Sequence, residues 1–162
     1  MTEIRDARDT DLDWVLTLNR EWEAVLSPLD GERLKRLHEQ AAVHRIAEPA
    51  GRPTAFLMAF REGSGYDSSN YRWFAQRYPR FLYIDRVVVA SAAQGHGLGK
   101  ALYQDLFRIA RSWGITTVCC EFDVMPPNPV SERFHEALGF QEVDQRRYGT
   151  PPKMVSLRVI QI

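Results

Sequence analysis

Ala93-Gln94-Gly95-His96-Gly97-Leu98-Gly99-Lys100 is the stretch on which the reading of this 162-residue chain turns. It lies between an apolar, strand-like run from Phe81 to Val89 and a periodic helical pattern that continues to Trp113. Glycines alternate at positions 95, 97 and 99. Alternating glycines leave one patch of backbone bare, so several N–H groups can face a single ligand. At a helix N-terminus, where the macrodipole places about half a positive charge, such a patch attracts phosphate.

Two common phosphate loops do not match. A nucleoside-triphosphate loop needs Gly where Gln94 stands and Ser or Thr where Ala101 stands. A dinucleotide fingerprint needs its third Gly where Lys100 or Leu102 stands, and it follows the first strand of its domain. Here the loop follows the fourth strand-like run.

Working outward, residues 3 to 7 read as a first strand. Thr10 or Asp11 then caps a helix carrying Leu12, Val15, Leu16, Leu18, Trp22 and Val25, which Ser27-Pro28 breaks. A second helix from about Asp30 turns Leu34, Leu37 and Ala41 inward. Two strands, 42 to 48 and 54 to 60, are joined by the turn Pro49-Ala50-Gly51-Arg52-Pro53. Residues 61 to 80 form an aromatic-rich connection in which Ser69 or Asn70 caps a short helix; its rings either pack on the core or face a substrate. After the glycine loop, Leu98, Leu102, Leu106, Ile109, Ala110 and Trp113 form a buried stripe that Gly114 ends. A strand over 115 to 124, a short helix over 131 to 138, and strands over 140 to 148 and 154 to 160 complete the chain.

Composition narrows the partners. Lys plus Arg and Asp plus Glu number 21 each, with no basic run, which argues against nucleic acid and an anionic membrane surface. The N-terminal segment is charged and lacks an apolar core, and no apolar stretch approaches the ~20 residues of a membrane span. Cys119 and Cys120 are adjacent in an apolar run, so they point to opposite faces and read as buried free thiols. No linker or repeat divides the chain. The expectation is a single domain over residues 1–162, soluble and cytoplasmic. His38, His44 and His96 have no partners at metal-ligand spacing, so no metal is expected.

Gln94-x-x-Gly97-x-Gly99 after Val87-Val88-Val89, followed by Asn128-x-x-Ser131-x-x-Phe134-His135-x-x-x-Gly139-Phe140, resembles the GNAT superfamily of N-acetyltransferases across essentially the whole chain. Tyr83-Ile84-Asp85-Arg86-Val87 with Pro126-Pro127-Asn128 is similar to a poorly characterised bacterial subgroup. The resemblance implies an α/β (α+β) fold: a mixed central sheet of about seven strands flanked by four helices, splayed between the fourth and fifth strands. It implies acetyl-CoA as co-substrate. The backbone of Val87, Val88 and Val89 would follow the pantetheine arm, and Gln94, Gly95, His96, Gly97, Leu98, Gly99 and Lys100 would surround the pyrophosphate. Asn128 and Ser131 would lie along the CoA arm, or cap the short helix.

An acetyl transfer to an amine needs a proton acceptor, because an alkylammonium titrates near ~10. Asp85 and Glu121 stand on the two strands flanking the splay and are the candidates; either instead forms an internal ion pair with Arg86. His135 occupies the position where the family commonly has Tyr. It either protonates the leaving thiolate or packs beside the sulfur, leaving water as the acid. On the acceptor side the resemblance places Asn19, Trp22, Tyr71 and Trp73, with Tyr66, Asn70 and Phe74 nearby. Acetylation of a small amine leads; protein acetylation and non-catalytic acyl-CoA binding are the alternatives. The family also allows a homodimer, for which no residue here marks an interface.

Overall fold

The computed structural model describes residues 2–162. Its seven strands are β1 (Thr2–Asp6), β2 (Val43–Pro49), β3 (Ala55–Arg61), β4 (Leu82–Val89), β5 (Thr117–Met125), β6 (Gln141–Tyr148) and β7 (Lys153–Gln161). They form one sheet in the order β1-β2-β3-β4-β5-β7-β6. Every neighbouring pair is antiparallel except β4 and β5, which run parallel.

Five helices accompany the sheet, one more than the four expected: α1 (Leu12–Glu21), α2 (Gly31–Gln40), α3 (Ser69–Ala75), α4 (Leu98–Ser112) and α5 (Pro129–Leu138). The additional one, α3, is the short helix of the aromatic-rich connection. Its cap is Ser68, which accepts from the Tyr71 N–H at 3.2 Å, rather than Ser69 or Asn70. Asp11 stands at the N-cap of α1 as expected, but its side chain makes no capping bond to that helix, because Arg5 and the Arg8 N–H, each 2.7 Å away, hold its carboxylate. Likewise α1 ends at Glu21 rather than running on to Val25, and α5 begins at Pro129, with Asn128 as its cap. Among the described residues no helix is long and apolar enough to cross a membrane.

Both sheet faces are covered, which explains why the first six residues of β3 are buried without polar alternation. Phe56, Met58 and Phe60 point toward Val15, Leu34, Leu37, Tyr71 and Phe74 of α1, α2 and α3. Leu57 and Ala59 point toward Leu102, Leu106 and Ala110 of α4.

Two irregularities create the site. The parallel pairing of β4 with β5 covers only Leu82 with Val118 and Tyr83 with Cys119, so beyond Tyr83 the strands part. At the same place β4 carries a bulge: Arg86 pairs with Met58 and Ile84 with Ala59, leaving Asp85 unpaired. A bulge puts two successive side chains on one face of a strand. Leu82, Ile84, Val87 and Val89 belong to the α4 face, Tyr83 and Val88 to the α1–α3 face. The neighbours Asp85 and Arg86 therefore share a face, a relation that regular alternation forbids.

Candidate active site

The open edge of β4 is a backbone binding surface. The Ala90 N–H bonds the Thr54 carbonyl at 2.9 Å, so alternation directs the N–H and C=O of Val88 toward β3 and those of Val87 and Val89 toward the splay. Val88 departs from its expected place: its backbone is turned to β3 and its side chain is buried. The Val89 carbonyl is already engaged, accepting from Trp22 Nε1 and from Gln94 Nε2, both at 3.1 Å. The Val87 peptide groups and the Val89 N–H remain for a ligand.

The glycine loop continues that surface. A single turn over Ser91–Ala93 leads to Gln94, whose side-chain bond to Val89 ties the loop to its strand. Gly95 and Gly97 have φ of +79° and +78°, where a side chain would be strained. Gly97 is the N-cap of α4 and offers no side-chain acceptor, so the first-turn N–H groups of Leu98, Gly99 and Lys100 are open to an outside anion. Leu98 anchors the turn in the core, and His96 Nδ1 rests 3.2 Å from the Ala93 carbonyl. Gly99 faces the Phe134 ring of α5, at a distance where a Cβ would make an ordinary van der Waals contact of 3.5 Å.

Asp85 and Glu121 sit on the α1–α3 face in different surroundings. Asp85 Oδ2 receives Arg86 Nε at 2.6 Å, and Tyr66 donates its hydroxyl to Oδ1. Arg86 in turn donates to Asn19 Oδ1 at 2.9 Å and to the Ser27 carbonyl at 3.3 Å. Asp85 is thus half of an enclosed ion pair. Among the described residues, no cation lies against Glu121. Its Oε1 accepts from the Tyr83 hydroxyl at 2.7 Å and from Asn70 Nδ2 at 3.2 Å, while Oε2 is buried with no partner. Burial, reinforced by the charge of Asp85, raises the Glu121 carboxyl to about 8, although the bonds from Tyr83 and Asn70 pull the other way. Tyr83 was not anticipated as a partner. Its place two residues before Asp85 was the available signal, since alternation puts i and i+2 on one face.

His135 lies on the opposite face of the sheet. Its Nδ1 is 2.7 Å from the Ser131 carbonyl and its Nε2 is 2.8 Å from the Tyr103 hydroxyl, while Phe122 stacks on the ring. With Nδ1 donating and Nε2 accepting, both nitrogens of a neutral ring are used. Burial lowers its pKa. The Asn128 side chain accepts from the Ser131 N–H at 3.3 Å, and the Ser131 hydroxyl turns to His135 at 3.2 Å.

The acceptor-side residues separate into two groups. Asn19 is fully enclosed beside Arg86, and Tyr71 is enclosed with its hydroxyl on the Arg61 carbonyl. Tyr66, Tyr71 and Phe74 pack with Phe60, Phe81 and Tyr83, so these rings belong to the core. Trp22 stands at the end of β4, and Trp73 is partly exposed on α3. Asn70 reaches the site through Glu121, and on its other side it accepts from Arg146 Nη1 at 2.6 Å. Arg146, on a hairpin 76 residues away, carried no signal in the sequence.

Cys119 and Cys120 are both buried and unpaired, and burial pushes both thiols up. Among the described residues no group of three His, Cys, Asp or Glu side chains is placed to hold a metal ion.

A family model described as "Acetyltransferase (GNAT) family" matches residues 8–140. No curated protein matches by sequence. Among solved structures, the ribosomal-protein-S18-alanine N-acetyltransferase from Escherichia coli is 18% identical with a TM-score of 0.75, covering 100% of this chain and 94% of that one. NAA60 from Arabidopsis thaliana, solved in complex with acetyl-CoA, is 17% identical with a TM-score of 0.79 and full coverage of both chains. A protein described as a phosphinothricin N-acetyltransferase is 19% identical with a TM-score of 0.76, covering 100% and 99%. At these identities the likeness is one of fold.

Proposed function

Because the chain belongs to the acetyltransferase (GNAT) family, we propose that it transfers the acetyl group of acetyl-CoA directly to the primary amine of a small acceptor, with Glu121 as proton acceptor. The observation that carries this reading is the buried Glu121 carboxyl with an unpartnered Oε2 beside the β4–β5 splay. Acetyl-CoA supplies an activated thioester, and the chain does the rest. The α4 N-terminus and Gly97 receive the pyrophosphate, as the open N–H groups suit a dianion. The Val87 peptide groups and the Val89 N–H extend β4 along the pantetheine amides. A gap-facing N–H of β4 polarises the thioester carbonyl.

The acceptor arrives as an ammonium ion and must lose a proton before it attacks. A carboxyl titrating at about 8 is matched to that task near neutral pH. Asp85 is committed to Arg86 and Tyr66; we assign it a positioning role, with its charge contributing to the shift of Glu121. His135, with both nitrogens occupied on the far face, is assigned to packing, and water supplies the proton to the thiolate. The closed aromatic cluster under α3 favours a small acceptor over a polypeptide laid across the site.

Thiol release from acetyl-CoA across a panel of amines, with peptide N-termini and lysine peptides included, tests the reading. No release with any amine alongside tight CoA binding would make the chain a non-catalytic acyl-CoA-binding module. Selective release with peptides would make it a protein acetyltransferase.

Two variants test the assignments. Gly97→Val puts a branched residue at φ +78° over the first-turn N–H groups. It is expected to raise the acetyl-CoA Kd at least about tenfold and to cost roughly 1–3 kcal/mol of stability, read by calorimetric titration and denaturant unfolding. Unchanged affinity would remove the pyrophosphate from this loop. His135→Gln is expected to keep kcat within about threefold, because general acid catalysis contributes about a hundredfold or more where it operates. A loss of that size with intact CoA binding would restore His135 as the acid. Its lowered pKa has a separate consequence. The neutral ring stabilises the fold above the ordinary His pKa of about 6.5, and that stability is lost as pH falls toward the folded value, so the variant should show a flatter acid limb in unfolding.

A further inference from the structure

The surface next to the buried acid carries cations that no carboxylate neutralises. A shallow cleft of about 340 Å³ opens between α3 and β6, lined by Ser69, Arg72, Trp73, Gln76 and Arg146. Arg77 lies over the Trp73 ring, its guanidinium carbon 3.8 Å from the centroid. Among the described residues, Arg5, Arg33, Arg45, Arg61, Arg86, Arg108 and Arg158 have an acidic partner; Arg72, Arg77 and Arg146 are among the eleven arginines that do not, and these three gather around one cleft. The carboxylate nearest by sequence, Asp67, is held by both terminal nitrogens of Arg33. Arg72 donates instead to the Asp67 backbone carbonyl, and Arg146 to Ser69 Oγ and Asn70 Oδ1, so the guanidinium groups are oriented by neutral acceptors.

The cleft is linked to the reacting centre through one buried side chain, Asn70. The Arg146 guanidinium is separated from the Glu121 carboxyl only by the Asn70 amide, with contacts of 2.6 and 3.2 Å at its two ends. A ligand that places its amine at Glu121 and extends past Asn70 would carry its distal end to these cations. Uncompensated arginines held in place by neutral partners are suited to a planar anion, which satisfies two N–H groups of a guanidinium at once.

We propose that this cleft is the specificity site for the acceptor's anionic end, and that the acceptor is a small primary amine bearing a carboxylate, an amino-acid-like molecule. The inference rests on the acetyl-transfer reading above. Arg72 and Arg146 receive the carboxylate, Trp73 supplies the apolar wall along the intervening carbons, and the amine is left beside Glu121. The transfer itself is unchanged: the amine nitrogen forms the amide bond, the thioester C–S bond breaks, and the amine proton leaves through Glu121.

The test compares β-alanine with β-alaninamide and glycine with glycinamide, rates being taken per free amine because the carboxylate itself raises the amine pKa. The acids are expected to exceed their amides about tenfold in kcat/KM, a preference that shrinks as salt is added. Arg72→Gln, which touches neither Asn70 nor Glu121, should raise KM for the acids about fivefold at constant kcat and leave the amides alone. Arg146→Gln should abolish the preference and also move the pH limb of kcat, since it borders Asn70. Equal rates for acid and amide, or an equal rise in KM for both in Arg72→Gln, would overturn the proposal. If no amine is acetylated at all, the acetyl-transfer reading fails. The cleft is then read by titrating CoA-loaded protein with β-alanine and β-alaninamide: acid-selective binding weakened by Arg72→Gln supports it, and indifference overturns it.

Discussion

Glu121→Gln is expected to lower kcat by about a hundredfold or more while leaving acetyl-CoA affinity unchanged, because it removes the proton acceptor and nothing that holds CoA. In the wild type, activity should rise with pH through a value near 8, where burial holds the Glu121 carboxyl, and the variant should lack that limb. Stability should move in the opposite direction. The unfolded chain releases this proton at its ordinary value near 4.5, the folded chain near 8, so between those values the unfolded state binds fewer protons. Wild-type stability is therefore full below the unfolded value and is lost as pH rises through the folded one. Glutamine cannot ionise and keeps the oxygen that accepts from Tyr83 and Asn70. At ~pH 9 the variant should be more stable than the wild type by on the order of 5 kcal/mol, and at ~pH 4 about equal to it, as chemical denaturation would show. A variant that is inactive yet destabilised at every pH would make Glu121 a structural residue.

Asp85→Ala is expected to behave differently, as a folding defect of about 3–5 kcal/mol. It strands the Arg86 guanidinium, whose side chain is only 4% exposed, and removes the acceptor of the Tyr66 hydroxyl. For a chain of this size the melting temperature should fall by roughly 10 °C. Adding Arg86→Met should recover much of the loss, because deleting both charges removes the stranded one. A stable Asp85→Ala protein with kcat reduced a hundredfold would transfer the role of base from Glu121 to Asp85.

Asp85 and Glu121 mark the limit of what the sequence carries. The family resemblance supplies the splay and strand position puts both acids on its flanking strands, which in the structure are β4 and β5. The sequence does not separate ion pair from free acid, because that distinction depends on a bulge. Nothing in Tyr83-Ile84-Asp85-Arg86 announces that the strand gains a residue there. Only the pairing with Met58 and Ala59 shows it, and that pairing puts Arg86 on the face of Asp85. His135 follows the same logic. The motif marks its position on α5, but its partner Tyr103 comes from α4, 32 residues away, and only the packing of the two helices brings them together. The expected CoA contacts at Asn128 and Ser131 met a local competitor, since an Asn before Pro129 is a strong helix cap.

What the sequence determined by itself is local and periodic. The alternating glycines dictated a bare, positive-φ turn at the head of α4, and the apolar spacing dictated most strands and helices to within a residue or two. These follow from φ/ψ sterics and from burial of one face, which act over a few neighbouring residues. Tertiary structure alone decided which carboxyl is paired and which is left with a free oxygen, and it brought Arg146 beside Arg72. Charge state and specificity depend on desolvation and on contacts across tens of residues, and these exist only once the sheet has closed around them.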